Sequence, residues 1–125
     1  MSNNHHPTFA NGKICYLEIP AKDVDVSSKF YREVFEWRIR EHEDGSIAFD
    51  DAAGEVSGTW VINRPSVTGE SLMLHIMVFN IEDTIKLILK YGGEMKEYPD
   101  KADHELVAKF SDPAGNVFGL YQQPA

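Results

Sequence analysis

The segment AFDDAAGEVSGTW (48–60) returns without a gap as KFSDPAGNVFGLY (109–121), 61 positions further along the chain. Six positions are identical: Phe49/Phe110, Asp51/Asp112, Ala53/Ala114, Gly54/Gly115, Val56/Val117 and Gly58/Gly119. Trp60 falls on Tyr121, aromatic on aromatic. The segments ahead of these also match, at an offset of 57, which lays Asp23 over Asn80. A unit present twice confines the chain to folds in which two copies cover each other's apolar faces.

Periodicity gives the content of the unit. KICYLEIP (13–20) reads as a strand with Pro20 near its end. Asp23 then caps a helix whose apolar positions Val26, Phe30 and Val34 recur every four residues. Short strands follow near 37–42, 45–51 and 55–63, the first two joined at Asp44-Gly45, a dipeptide suited to a hairpin turn. After the linker the order repeats. A strand at 71–79 precedes a helix capped by Asn80, with Glu82 and Asp83 in its first turn and Ile81, Ile85, Ile88 and Leu89 as its buried stripe. Gly92-Gly93 ends that helix, and strands follow near 94–98, 104–111 and 116–122.

The reading is an α+β fold of two tandem βαβββ modules forming a curved mixed-sheet cup. Module one spans 13–63, a linker 64–70, and module two 71–122, within a single domain 13–125 behind a tail at 1–12. One module alone would leave a sheet face uncovered, and a pseudo-twofold copy supplies the cover.

Composition narrows the function classes. A chain of 125 residues with 42% hydrophobic and 26% charged residues is long enough for one packed core. The net charge of −8 is spread as −5 over 13–63 and −3 over 64–125, with no basic stripe, so neither nucleic acid nor an anionic membrane is expected as partner. No run of about eighteen apolar residues suggests a bilayer span, and no signal peptide is read at the N-terminus. The lone Cys15, in an apolar run, is expected to be buried and inert. That thiol and the acidic pI of about 5.0 fit a cytoplasmic protein. His5 and His6 lie in a polar tail expected to fray.

KICYLEIPAKDVDVSSKFYREVFEW (13–37), with Asp23, Ser27, Phe30-Tyr31 and Phe35-x-Trp37, resembles the opening strand and helix of the vicinal oxygen chelate superfamily, which includes glyoxalases, bleomycin-resistance proteins and dioxygenases. DPAGNVFGLYQ (112–122) resembles its closing turn and strand, so the likeness covers 13–122. Glu36 departs from it, standing where members usually place Gly at the helix end. The resemblance implies a divalent ion held by one residue from the first and last strand of each module. Those positions are Tyr16, Gly58, Met73 and Gly119 here. Two glycines and a thioether do not suit Mg, Mn or ordinary Zn chemistry, so no cofactor is predicted and any divalent metal would need other ligands.

Strand alternation places Glu18, His75 and Met77 on the same side as Tyr16 and Met73. Glu18 and His75 are mates at the offset of 57. They are the candidate catalytic pair, a carboxylate orienting an imidazole as general acid or base; otherwise they form a hydrogen-bonded polar patch or contact a ligand. Tyr16, Trp60, Met73, Met77 and Tyr121 are the candidate ligand-binding residues, the aromatics either walling the cup or filling the core. His104-Glu105 opens a strand as a lid or a solvated loop, and Asp51 and Asp112 are assigned turn chemistry alone. The expected function is binding of a small organic molecule in a cup without the usual metal ligands. The alternative is a glyoxalase-type lyase or isomerase using Glu18 and His75. A homodimer is possible.

Overall fold

The computed structural model describes residues 6–124; His5 lies outside them. Its elements run β1 (Tyr16–Pro20), α1 (Val24–Phe35), β2 (Arg38–Glu41), β3 (Ile47–Asp50), β4 (Ser57–Val61), β5 (His75–Met77), α2 (Ile81–Lys90), β6 (Glu94–Glu97), β7 (Leu106–Ser111) and β8 (Val117–Gln122). They form two four-stranded mixed sheets of the same topology, β1-β4-β3-β2 and β5-β8-β7-β6. In each sheet the first strand pairs parallel with the last, and the hairpins are antiparallel. The βαβββ order is therefore present twice. β1 and β5 are both edge strands, each paired on one side only.

The caps follow from local chemistry. The Asp23 carboxylate accepts from the Asp25 and Val26 N–H groups at the start of α1, and Asn80 accepts from Asp83 N–H at the start of α2. Glu36 ends α1 in the left-handed region at φ 60°, where a Cβ crowds the backbone and glycine is favoured. Gly92, at φ +99°, follows the end of α2. Two stripe positions turn outward: Val26 is 47% and Leu89 51% exposed. Cys15, just ahead of β1, is likewise exposed.

The modules share one core. Phe30 of α1 stacks on Phe110 of β7 at 6.1 Å, and Phe35 lies 5.6 Å from the same ring. A buried polar network crosses the same boundary. The Tyr31 hydroxyl donates to Asp112 Oδ2 at 2.8 Å, and Asn116 Nδ2 donates to both Asp112 Oδ2 and the Pro20 carbonyl. Asp112 Oδ1 accepts the Ala114 and Asn116 N–H groups. In the other module Asp51 Oδ1 accepts from Glu55 and Val56 N–H, so both aspartates organise turns.

Each turn also grips the chain ahead of its module. Asn116 Oδ1 accepts Val67 N–H from the linker. Glu55 binds the His6 ring at 2.5 Å, Thr8 N–H and hydroxyl, and Lys13. Residues 6–13 are thus tied down by four donors to one carboxylate, which holds Glu55 at a pKa of about 2, chiefly through the Thr8 N–H and His6. The expected fraying does not extend to this part of the tail.

The gapless repeat conceals a slip of one residue. Asp50 pairs with Ser57 across a loop of residues 51–56, whereas Ser111 pairs with Val117 across the shorter loop 112–116. Register therefore matches Gly58 to Phe118 and Trp60 to Leu120, an offset of 60, while β1 and β5 keep the offset of 57. Because alternate residues face opposite ways, the sequence mates Trp60 and Tyr121 lie on opposite sheet faces.

Candidate functional site

A groove of about 720 Å³ lies between the two modules. Its walls are the inward residues of the edge strands and their flanks, Leu17 and Ile19 on one side and Leu74, Ile76 and Val78 on the other. The last turn of α1, Val34 to Glu36, and the first turns of α2, from Asn80 to Leu87, close its ends with Trp37, Phe49 and Phe118 behind. These strands are apolar on the inward face because they cover helices, and the groove exists because β1 and β5 each lack an outer neighbour. Ile14, Met77 and Phe79, 72%, 59% and 97% exposed, stand along it as uncovered apolar surface. A smaller cavity of about 290 Å³ adjoins it, sharing Glu36, Asp51, Ala52 and Ala53.

Of the residues singled out from sequence, His75 and Met77 line this groove; Tyr16, Glu18, Trp60, Met73 and Tyr121 do not. Tyr16 and Glu18 lie on the opposite face of β1 and are exposed. Glu18 pairs with Arg64 at 2.8 Å, and no hydrogen bond or ion pair joins it to His75 among the described residues. The long Arg64 side chain reaches back from the linker and takes the carboxylate first. His75 is exposed and lies over Gly119, where an added Cβ would meet its ring at 2.5 Å.

Of the two places open to Trp60, wall or core, it takes the core. It is 4% exposed, 4.7 Å from the Phe49 ring and 5.8 Å from Tyr31, and its Nε1 has no hydrogen-bond partner among the described residues. Gly58 faces the same interior, where its Cβ position is already taken by the Leu17 carbonyl and the Phe49 ring. Met73 packs its methyl against Gly69. Tyr121 lies on the outer face of its sheet, where its hydroxyl donates to Glu105 at 2.6 Å; that bond raises the phenol's pKa. Glu105 thereby fastens the start of β7 to β8.

The groove's charge is one-sided. Among the described residues Glu36, Asp51 and Asp83 are its charged lining residues, and no Lys or Arg lines it. Residues missed from sequence are mainly Leu17, Leu74, Ile76 and Val78. Their signal was a wholly apolar alternate set on β1 and β5, which is hidden when the other set, with Glu18 and His75, is taken as functional.

The model of the glyoxalase-like domain family matches residues 16–121, nearly the whole chain. The chain belongs to that family. A glyoxylase-like domain-containing protein of Didymella fabae is 25% identical over 123 residues, covering 91% of this chain and 96% of its own. Among solved structures, an antibiotic-binding protein from Streptomyces sp. CB03234 superimposes with a TM-score of 0.69 at 21% identity, covering 94% of this chain and 100% of that one. A glyoxalase/bleomycin resistance protein/dioxygenase family enzyme from Burkholderia phytofirmans PsJN gives 0.68 at 17% identity, covering 86% and 95%. These likenesses establish the glyoxalase/bleomycin-resistance fold for this glyoxalase-like domain.

Proposed function

We propose that this glyoxalase-like domain binds a small, largely apolar organic molecule in the groove between its modules. The observation that carries the reading is the groove itself: about 720 Å³, walled by aliphatic and aromatic side chains, with few polar groups to fix orientation. That volume suits a drug-sized molecule, and the fold is shared with an antibiotic-binding protein. His75 and Met77 are the contacts we assign from the residues named on sequence grounds, the thioether adapting to the ligand's shape and the imidazole offering a hydrogen bond.

The donor chemistry supports a metal-independent site. Gly58 and Gly119 offer no side chain, Met73 is turned onto Gly69, and Tyr16 is a single exposed phenol. With Glu18 committed to Arg64, no acid–base pair is assembled either, so binding is favoured over lyase or isomerase chemistry.

A thermal-shift screen of aromatic and aliphatic compounds, run beside elemental analysis of the purified protein, tests the reading. A saturable rise in melting temperature is expected, worth about 2.7 kcal/mol at a hundred times Kd, and His75→Ala together with Met77→Ala should weaken it. Stoichiometric Ni, Zn, Mn or Fe whose removal lowers stability would refute the metal-independent site.

A further inference from the structure

We infer that the groove selects cationic amphiphiles, molecules with an apolar or aromatic body and a protonated amine. The inference rests on the binding role proposed above and specifies its ligand class. Two independent features give the groove a negative field.

The first is the set of three carboxylates, Glu36, Asp51 and Asp83, with no lysine or arginine on the lining. None of the three forms an ion pair among the described residues. Arg38 borders Glu36 only in the adjoining cavity. Glu36 and Asp51 line both cavities, so they stand where the two meet, beside Trp37. An ammonium group placed there meets carboxylate oxygens from both residues.

The second feature is the orientation of the helices. α1 presents its C-terminal turn to the groove, the negative end of its dipole. Arg32 and Tyr31 carbonyls are taken by the Glu36 and Trp37 N–H groups, while the carbonyls beyond them have no such helical partner. α2 presents its N-terminus, which would ordinarily attract an anion. Three of its first-turn donors are already committed: Ile81 N–H to Gln122 Oε1, Asp83 N–H to Asn80 Oδ1 and Thr84 N–H to the Asn80 carbonyl. The Asp83 carboxylate further neutralises that end. An anion therefore meets a largely capped helix end beside a carboxylate, whereas a cation meets a dipole end and three charges.

Three probes of matched shape decide the matter by titration calorimetry at pH 7 and low salt: naphthylmethylammonium, naphthalenemethanol and naphthoate. The ammonium should bind at least about fivefold more tightly than the alcohol, as expected for a few partly exposed charge contacts, with the naphthoate weakest. Added salt should shrink the difference. In the Glu36→Gln, Asp51→Asn, Asp83→Asn triple variant the ammonium should fall to the alcohol's affinity, while unchanged alcohol binding reports an intact groove. If alcohol or naphthoate matches the ammonium, or the preference survives the triple variant, the charge inference is overturned and groove binding stands. If no probe binds, or if Ala52→Trp, which fills the groove's rim, leaves binding untouched, the groove reading fails as well.

Discussion

Removing one hydroxyl, by Tyr31→Phe, tests the network that joins the modules. The ring is kept, so its stack on Trp37 at 4.6 Å and its contact with Phe35 at 5.9 Å persist. What disappears is one of four donors to the Asp112 carboxylate, which is 3% exposed. Losing a hydrogen bond to a buried charged acceptor costs about 2 kcal/mol, or a fall in melting temperature of roughly 6–10 °C for a domain of this size. The cost should depend on pH. Burial raises the Asp112 pKa above its usual value despite bonds from Asn116 and Tyr31 that lower it. A raised folded pKa means a stability contribution present below the unfolded value of 3.8 and lost as pH rises through the folded value. Deleting the Tyr31 donor raises that pKa again, so the variant loses most stability near neutrality, where the ion must exist, and least at acid pH, where the carboxyl is protonated. Urea unfolding of both proteins at pH 7 and pH 4 reads the difference directly. An equal loss at the two pH values, or a loss under about 0.5 kcal/mol at pH 7, would refute the account.

The repeated glycines should behave unequally. Gly58→Ala drives a methyl to 2.2 Å from the Leu17 carbonyl and 2.5 Å from Phe49, and should cost about 3 kcal/mol in chemical denaturation; Gly119→Ala meets only the exposed, rotatable His75 ring and should cost about 1 kcal/mol or less. Glu55→Gln should free residues 6–13 to proteolysis or faster hydrogen exchange. In the parent, the tether formed by that carboxylate is present above its ordinary pKa of 4.5 and lost as pH falls through about 2, the depressed-acid sign.

Much of the fold was legible because its signals are local. Caps at Asp23 and Asn80, the Asp44-Gly45 turn and the 3.6-residue stripes each depend on a few neighbours, and the element order followed from them. The site was less legible. His75 and Met77 border the groove, although alternation sets them opposite the inward Leu74, Ile76 and Val78. Trp60 was left between wall and core because facing beyond the Asp51 turn depends on loop length, which identity of letters does not report. Glu18 was paired with the wrong partner because nothing in the chain order shows that Arg64, in the linker, reaches it.

The single extra residue between Asp50 and Ser57 sets a rule for anyone who would rebuild this domain as a perfect twofold object. Copying the second half's letters onto the first, position for position, would send every inward side chain of β4 outward and strip the interior of Trp60. A symmetric version must first delete one residue from 52–55; only then would the same amino acid in both halves occupy the same surroundings.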